Sequence, residues 1–479
     1  MRIRIIQKGF HANRIKENFL SIRTEYRKAL AERADILVLP KDAICGYAAE
    51  TLLQREGYFN SCLATLNKLA KETSSCAILC ELANHFFLLE KGEVSIIKNN
   101  AFLFKKYNCA VNTTDLPNAD IAFILDALPF VQDIEMSIRK QNSNIVYVNQ
   151  CGGNDNVVLY GHSFVKGFND VSAHILPCFE ECSCTFEWTK QSFTPLSKIP
   201  LCKKQSNIEL IHDGLIATIR DYFKNAGIKK AIVGLSGGID SAVVLPLAVK
   251  ALGRTNVFGV MMPSQFSTDH SVKDAVKLAD NLQIYYEIIP IKPIYDVFMM
   301  QLSPLFKSTK FGLAEENLQA RSRGTLLMSI ANKFGYLLIN TSNKSEAFCG
   351  YGTMYGDLCG SIAPLGDLYK SQVYELAKYI NRKQEIIPRN TIIKAPSAEL
   401  RPNQKDSDSL GEYDTIEKIA TLHLEDGLNA AEISKNIDVA KAEVERILSL
   451  FYRSEFKRRQ APPAIVLSSS PLREYGLPL

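Results

Sequence analysis

The chain has 479 residues, 46% hydrophobic and 22% charged, with a formal net charge of +5. That balance excludes a disordered or fibrous chain, leaves room for two or three domains with cores of their own, and is too mild to argue for nucleic acid as a partner. No run of about eighteen apolar residues occurs, and the opening "MRIRIIQKGFHANRIKENF" carries charge where a secretory leader needs its apolar centre, so a cytoplasmic location without membrane contact is expected. The twelve cysteines are scattered and read as reduced thiols. Cys178, Cys182 and Cys184 of "PCFEECSC" have neither a matching second pair nor a nearby histidine that would suggest zinc.

In chain order, "MRIRIIQ" alternates polar and apolar residues as an edge strand would, and Phe19, Ile22, Tyr26 and Leu30 recur at helical spacing in the segment that follows. "DILVLP" predicts a buried strand ending at Pro40, "LATLNKLAKET" a second helix and "CAILCELA" a further strand. "NIVYVNQCGGNDNVVLYGHSFV" predicts two strands joined by a Gly-Asn-Asp turn. From about Glu187 to Ser206 the chain turns polar around Pro195 and Pro200, and a linker is expected there, at 191–206.

Beyond the linker, "IELIHDGLIATIRDYFKNAG" predicts a helix capped by Gly227. The strand "KKAIVGL", a glycine turn and the apolar helix "SAVVLPLAVKALG" follow, then the strand "NVFGVMMPS" and the helix "HSVKDAVKLADNLQ". This alternation implies a mainly parallel sheet covered by helices on both faces.

The glycine turn, "VGLSGGIDS" (Val233 to Ser241), carries the chemistry. A strand that ends in glycines and opens a helix offers unpaired N–H groups and a positive helix end, which suits a phosphate. The spacing is neither G-x-x-x-x-G-K-[ST] nor G-x-G-x-x-G. Asp240 would repel a phosphate unless Mg²⁺ bridged the two; the alternative is a plain turn in which Asp240 stabilises the first helical turn.

"SGGIDS" resembles the S-G-G-x-D-S loop of the ATP pyrophosphatases, which cleave ATP between its α- and β-phosphates to adenylate a substrate. "EENLQARSRG", "TSNKSEAFCGYGTMYGD", "DLYKSQVYELAKYIN", "KAPSAELRPNQKDSDSL" and "EFKRRQAPP" stand in the order and spacing of NAD synthetases, across nearly all of 207–479. Ser342 replaces the glycine of the family's T-G-N-K-S-E. The resemblance implies a doubly wound ATP pyrophosphatase domain that uses ATP and Mg²⁺ to adenylate deamido-NAD, after which ammonia displaces AMP. It also implies that Gly234, Leu235, Ser236, Gly237, Gly238, Ile239, Asp240, Ser241, Thr341, Lys370 and Ser397 bind ATP. By the same resemblance Asp240 and Glu346 hold Mg²⁺, and Asn317, Arg321, Glu346 and Lys457 surround deamido-NAD. Taken singly, Arg321 with Arg323 reads as a solvated helix face, and Lys457 as part of a surface charge run. Members of the family form homodimers or larger homo-oligomers.

Residues 1–190 resemble the nitrilase-like α-β-β-α glutaminase domain of glutamine-dependent NAD synthetases, through "ADILVLPKDAICGYAAETLL" and "IVYVNQCGGNDNVVLYGHSFV". That domain needs a glutamate base, a lysine and a cysteine nucleophile. Lys41 stands where P-E-L-x-x-x-G-Y has its glutamate, and Asp42 is expected on the other face of the strand. Thr113 takes the place of the cysteine if Asp115 aligns with the family's aspartate, and several tens of residues are missing between Gly92 and Pro129. Neither Cys109 nor Lys98 sits in the right local motif to substitute. The expectation is an inert, shortened amino-terminal domain, with ammonia taken from solution or from a partner. The alternatives are a relocated glutaminase site, another ATP pyrophosphatase such as a tRNA-modifying enzyme, or a non-enzymatic scaffold.

Overall fold

The computed structural model describes residues 1–114, 118–132, 143–200, 202, 204–402 and 404–472. Contacts divide the chain into two compact units, Met1–Ser206 and Asn207–Leu479.

The first unit holds a seven-stranded and a six-stranded sheet. Alternate residues of both fill one core, with Ile3, Ile5, Val38 and Leu79 from the first sheet against Val111, Phe123, Leu125 and Val146 from the second. The helices Ile15–Ala31 and Glu56–Glu72 pack on the other face of the first sheet, burying Phe19, Ile22, Tyr26, Cys62, Leu66 and Leu69. These layers give α-β-β. Among the described residues no helix covers the outer face of the second sheet.

Three expectations change here. The strand Arg2–Gln7 is interior, between Cys182–Trp188 and Ile36–Val38. Its polar alternation misleads because Arg4 is buried and donates to Glu25 (2.9 Å), Glu32 (2.7 Å), Ser183 (2.6 Å) and Thr185 (3.2 Å). The segment predicted as two strands forms four: the hairpin Cys151–Asn154/Val157–Tyr160, turning at Asp155, lies between Ile145–Asn149 and Phe164–Lys166, which pair with each other. The first part of the expected linker is sheet, because Phe193–Pro195 pairs antiparallel with Cys182–Trp188 and so extends the first sheet by one strand.

In the second unit the strands run in the order Tyr285–Ile288, Val257–Met261, Ala231–Gly234 and Leu337–Ile339, all parallel. From the strand Ala231–Gly234 the chain first winds outward through the next two strands, then returns to its opposite side. The order therefore reverses between Ala231–Gly234 and Leu337–Ile339, and a parallel sheet opens a crevice at the carboxyl ends of the strands flanking such a point. The glycine turn and the Asn340–Ser342 segment both emerge there.

Candidate active site

The turn after Gly234 needs glycine for a steric reason. Gly237 has φ +76, and a Cβ there would lie 2.2 Å from the Ser271 carbonyl oxygen. Gly238 then caps the helix Ile239–Leu252. Within the loop the hydroxyls of Ser236 and Ser241 are 3.2 Å apart, Gly238 N–H donates to Ser236 Oγ (3.2 Å), and Ser241 Oγ donates to the Gly238 carbonyl (3.2 Å). The loop is thus set before any ligand arrives.

Gly234 through Ser241, Thr341, Glu346, Lys370 and Ser397 line one cavity. At its charged end Lys370 Nζ donates to Asp240 Oδ2 (2.7 Å) and Glu346 Oε1 (3.1 Å), and Asn343 Nδ2 donates to Asp240 Oδ1 (2.9 Å). Asn343 also caps the short helix Lys344–Cys349, which carries Glu346 in its first turn. Burial raises the Glu346 carboxyl above its ordinary range; Lys370 pulls against this and Asp240 adds to it. The buried Lys370 ammonium is held above its ordinary range because the two carboxylates outweigh its desolvation. Two carboxylates converging on a single cation offer hard oxygen donors. With substrate phosphates, such a pair suits Mg²⁺, which rarely uses an all-protein cage.

Asn317, Arg321 and Lys457 gather elsewhere, on the loop Gly350–Tyr355 beside the cavity. Thr353 donates to Asn317 Oδ1 (2.7 Å), Arg321 Nε to the Met354 carbonyl (3.3 Å), and Lys457 Nζ to the carbonyls of Gly350 (2.8 Å) and Gly352 (2.9 Å). Lys457 is therefore no loose surface charge. Its neighbour Arg458 is buried and donates to the carbonyls of Ala347, Phe348 and Phe451.

Among the cavity residues that escape a reading of the sequence are Arg323 and Asp406. Arg323, not Arg321, faces the cavity; its Nε donates to the Met262 carbonyl (3.0 Å), and burial lowers its pKa to about 10. The signal was the two-residue offset on the helix Leu313–Phe334, which turns the pair to different faces. Asp406, inside "KAPSAELRPNQKDSDSL", lines the wall and accepts from Tyr351 and Tyr413 (3.1 Å each). Nothing local distinguishes it from Asp408.

In the first unit Lys41 follows the strand Ile36–Val38; its N–H donates to the Asp126 carbonyl (3.2 Å) and its own carbonyl accepts from Gln150 Nε2 (2.8 Å). Asp42 is not on the far face of a strand. The strand has ended, and Asp42 sits in a turn at φ +58, buried, with Cys45 Sγ 3.6 Å from its Oδ1 and its N–H donating to Glu81 Oε2 (3.1 Å). Cys109 lies in the core between the sheets, its thiol pushed up to about 12 by burial. Lys98 is exposed in the turn between the strands Glu93–Ile96 and Ala101–Phe104. Thr113 follows the strand Tyr107–Val111, and Asp115, on which its alignment depends, is outside the described residues.

Comparison with known proteins agrees with this architecture. The NAD synthase family matches residues 211–461. A glutamine-dependent NAD(+) synthetase of Synechocystis is 36% identical over 535 aligned positions, covering 96% of this chain and 94% of its own. That of Acinetobacter baylyi is 32% identical, with the same coverage. The solved structure of a glutamine-dependent NAD+ synthetase from Acinetobacter baumannii in complex with adenosine diphosphate superposes with a TM-score of 0.76 at 29% identity, over 99% of this chain and 97% of that one. One from Cytophaga hutchinsonii shares the fold, with a TM-score of 0.80 at 16% identity. With a glycine loop at the switch point of its parallel sheet and relatives aligned along nearly its whole length, this chain belongs to the glutamine-dependent NAD(+) synthetase family.

Proposed function

We propose that residues 207–479 adenylate deamido-NAD with ATP and then amidate it with free ammonia, or with ammonia delivered by a partner, while residues 1–190 form a nitrilase-like unit without glutaminase chemistry. The observation that carries the synthetase half is the single cavity that joins the Ser-Gly-Gly loop to Asp240, Glu346 and Lys370. The loop N–H groups, Ser236 and Ser241 receive the ATP phosphates, with Thr341 and Ser397 on the facing walls. Lys370 turns its ammonium from the carboxylates toward the negative charge that builds as pyrophosphate leaves. Asp240 and Glu346 would hold Mg²⁺, which when bound neutralises phosphate oxygens. Asn317, Arg321 and Lys457 shape the loop Gly350–Tyr355 against which deamido-NAD lies, so that its carboxylate meets the α-phosphate in line.

The first half lacks the needed groups where they should stand. An ammonium occupies the base position at Lys41, and a threonine the expected nucleophile position at Thr113. The nearest carboxyl–thiol pair, Asp42 with Cys45, is buried, and desolvation pushes the Cys45 thiol far above the range in which a thiolate forms. The Synechocystis alignment spans 535 positions, more than the 479 residues present here, in keeping with segments this chain lacks. A homo-oligomer is supported by an exposed apolar edge of the second unit, which includes Tyr285, Val297, Phe298, Met300 and Phe334. The deciding assay measures NAD formed from ATP, Mg²⁺ and deamido-NAD with ammonium or glutamine as nitrogen donor.

A further inference from the structure

Glu417 lies outside the cavity, on the helix Tyr413–Leu424, yet it bonds Ser345 and Ser371, the sequence neighbours of Glu346 and Lys370. The residue is only 9% exposed. Oε1 accepts the hydroxyl of Ser345 (2.8 Å) and the N–H of Ser371 (3.2 Å), while Ser345 Oγ accepts the N–H of Lys370 (2.9 Å). Ser345 precedes Glu346 in the helix Lys344–Cys349, and Lys370 and Ser371 open the helix Lys370–Ile380. One buried carboxylate thus joins the helix carrying Glu346 to the helix carrying Lys370, and its charge lies at a positive helix end, where it is stabilised.

The helix bearing Glu417 is itself fixed by packing. Ile416, Ile419 and Ala420 share a core with Phe348 and Tyr369, and Phe348 stacks on Phe451 with ring centroids 4.5 Å apart. The same short helix is anchored from below, where buried Lys344 pairs with Asp367 (2.9 Å). The Glu417–Ser345 and Ser345–Lys370 bonds link the first turns that carry Glu346 and Lys370.

We propose that Glu417 is a positioning residue for the ATP site, holding Lys370 and Glu346 in the mutual geometry that receives the triphosphate. This rests on the reading of Asp240, Glu346 and Lys370 as that site. The test uses the full chain and α,β-methylene-ATP with Mg²⁺, its affinity measured by calorimetry, beside steady-state KM values for ATP and deamido-NAD and the thermal midpoint. Glu417→Ala is expected to weaken binding of the analogue about tenfold or more and to raise the KM for ATP in parallel, with the KM for deamido-NAD changed less than about twofold. Glu417→Gln keeps an acceptor oxygen for both donors and should restore affinity to within about threefold. Ser345→Ala should reproduce the loss, and combining it with Glu417→Ala should add little, because the two break the same link.

Unchanged affinity in Ser345→Ala and Glu417→Ala would overturn the role, as would equal rises in KM for both substrates or full additivity. If Glu417→Ala does not fold, Ser345→Ala and Glu417→Gln carry the same decision. An Asp240→Asn control that retains activity would overturn the site assignment and this role together. An inactive Asp240→Asn beside an unaffected Ser345→Ala would overturn only the role of Glu417.

Discussion

Asp240 accepts an ammonium on one oxygen and an amide on the other, so a neutral isostere changes its chemistry without changing its shape. In Asp240→Asn the new amide group would face Lys370 or Asn343 with a donor against a donor, and the proposed Mg²⁺ site would lose one of its two carboxylates. NAD formation should fall by two to four orders of magnitude, about 3–5 kcal/mol of transition-state stabilisation, with an unchanged circular dichroism spectrum. Activity within a few fold of wild type would remove the assigned role. A second carboxyl acts on stability. Burial, with Glu81 nearby, pushes Asp42 up to about 7, so the stability it contributes is complete below the ordinary carboxylate range and is lost as pH rises toward 7. Glu25 has the opposite sign: despite burial, hydrogen bonds from Lys28 and Arg4 hold it at about 2, so its contribution is complete above the ordinary carboxylate range and is lost progressively as pH falls from that range toward 2. Asp42→Asn should therefore stabilise the first unit at pH 8, by at most about 4 kcal/mol, and leave it nearly unchanged at pH 4. The single tryptophan, Trp188, lies in this unit and reports its urea unfolding separately from the second. An equal shift at both pH values would show that the substitution acts through packing instead.

At the scale of elements, the helix Ile239–Leu252 and its loop depend on backbone shape more than on side chains. Gly237→Ala would place a methyl against the Ser271 carbonyl in a conformation that L-residues rarely adopt, and the loop can relieve this only by moving its N–H groups. ATP binding should be lost by at least about tenfold while the unit's thermal midpoint falls by only a few degrees, and intact binding would show that the loop yields. The dependence on glycine is also why this element was legible. Backbone demands, helical periodicity and parallel-strand alternation are local, and they predicted the strand Ala231–Gly234, the turn and the helix in order. Positions with distant causes were not legible. Arg4 reads as solvent-facing until Glu25 and Ser183 are brought to it, and Arg458 reads as surface charge until Ala347 and Phe451 close over it. Arg323 and Asp406 belong to the cavity for the same kind of reason: helix phase and a fold-back decide it, and neither is written in the neighbouring residues.

For the whole molecule the question is whether the first unit supplies ammonia to the second. Glutamine hydrolysis needs a nucleophile activated by a base, and the two must share a pocket. In the proposed reading Lys41 brings an ammonium to the position where the base is expected. Its backbone is already committed to Asp126 and Gln150, so the strand end cannot rotate to present Asp42 in its place without breaking both bonds. Asp42 is itself committed to the turn with Cys45. A hydroxyl at Thr113 would be a poor nucleophile even beside a base, and Cys109 points into the core between the sheets. Restoring one group alone should restore nothing. Purified, ammonia-free protein is expected to make NAD with ammonium and to make little or none with glutamine, and Lys41→Glu should leave that result unchanged. A glutamine-like affinity label should modify no stoichiometric site in residues 1–206, which peptide mass mapping can check. If glutamine supported NAD synthesis at a rate near that with ammonium, the first unit would be a working glutaminase with a displaced site, and loss of that rate in Asp42→Ala or Cys45→Ala would locate it.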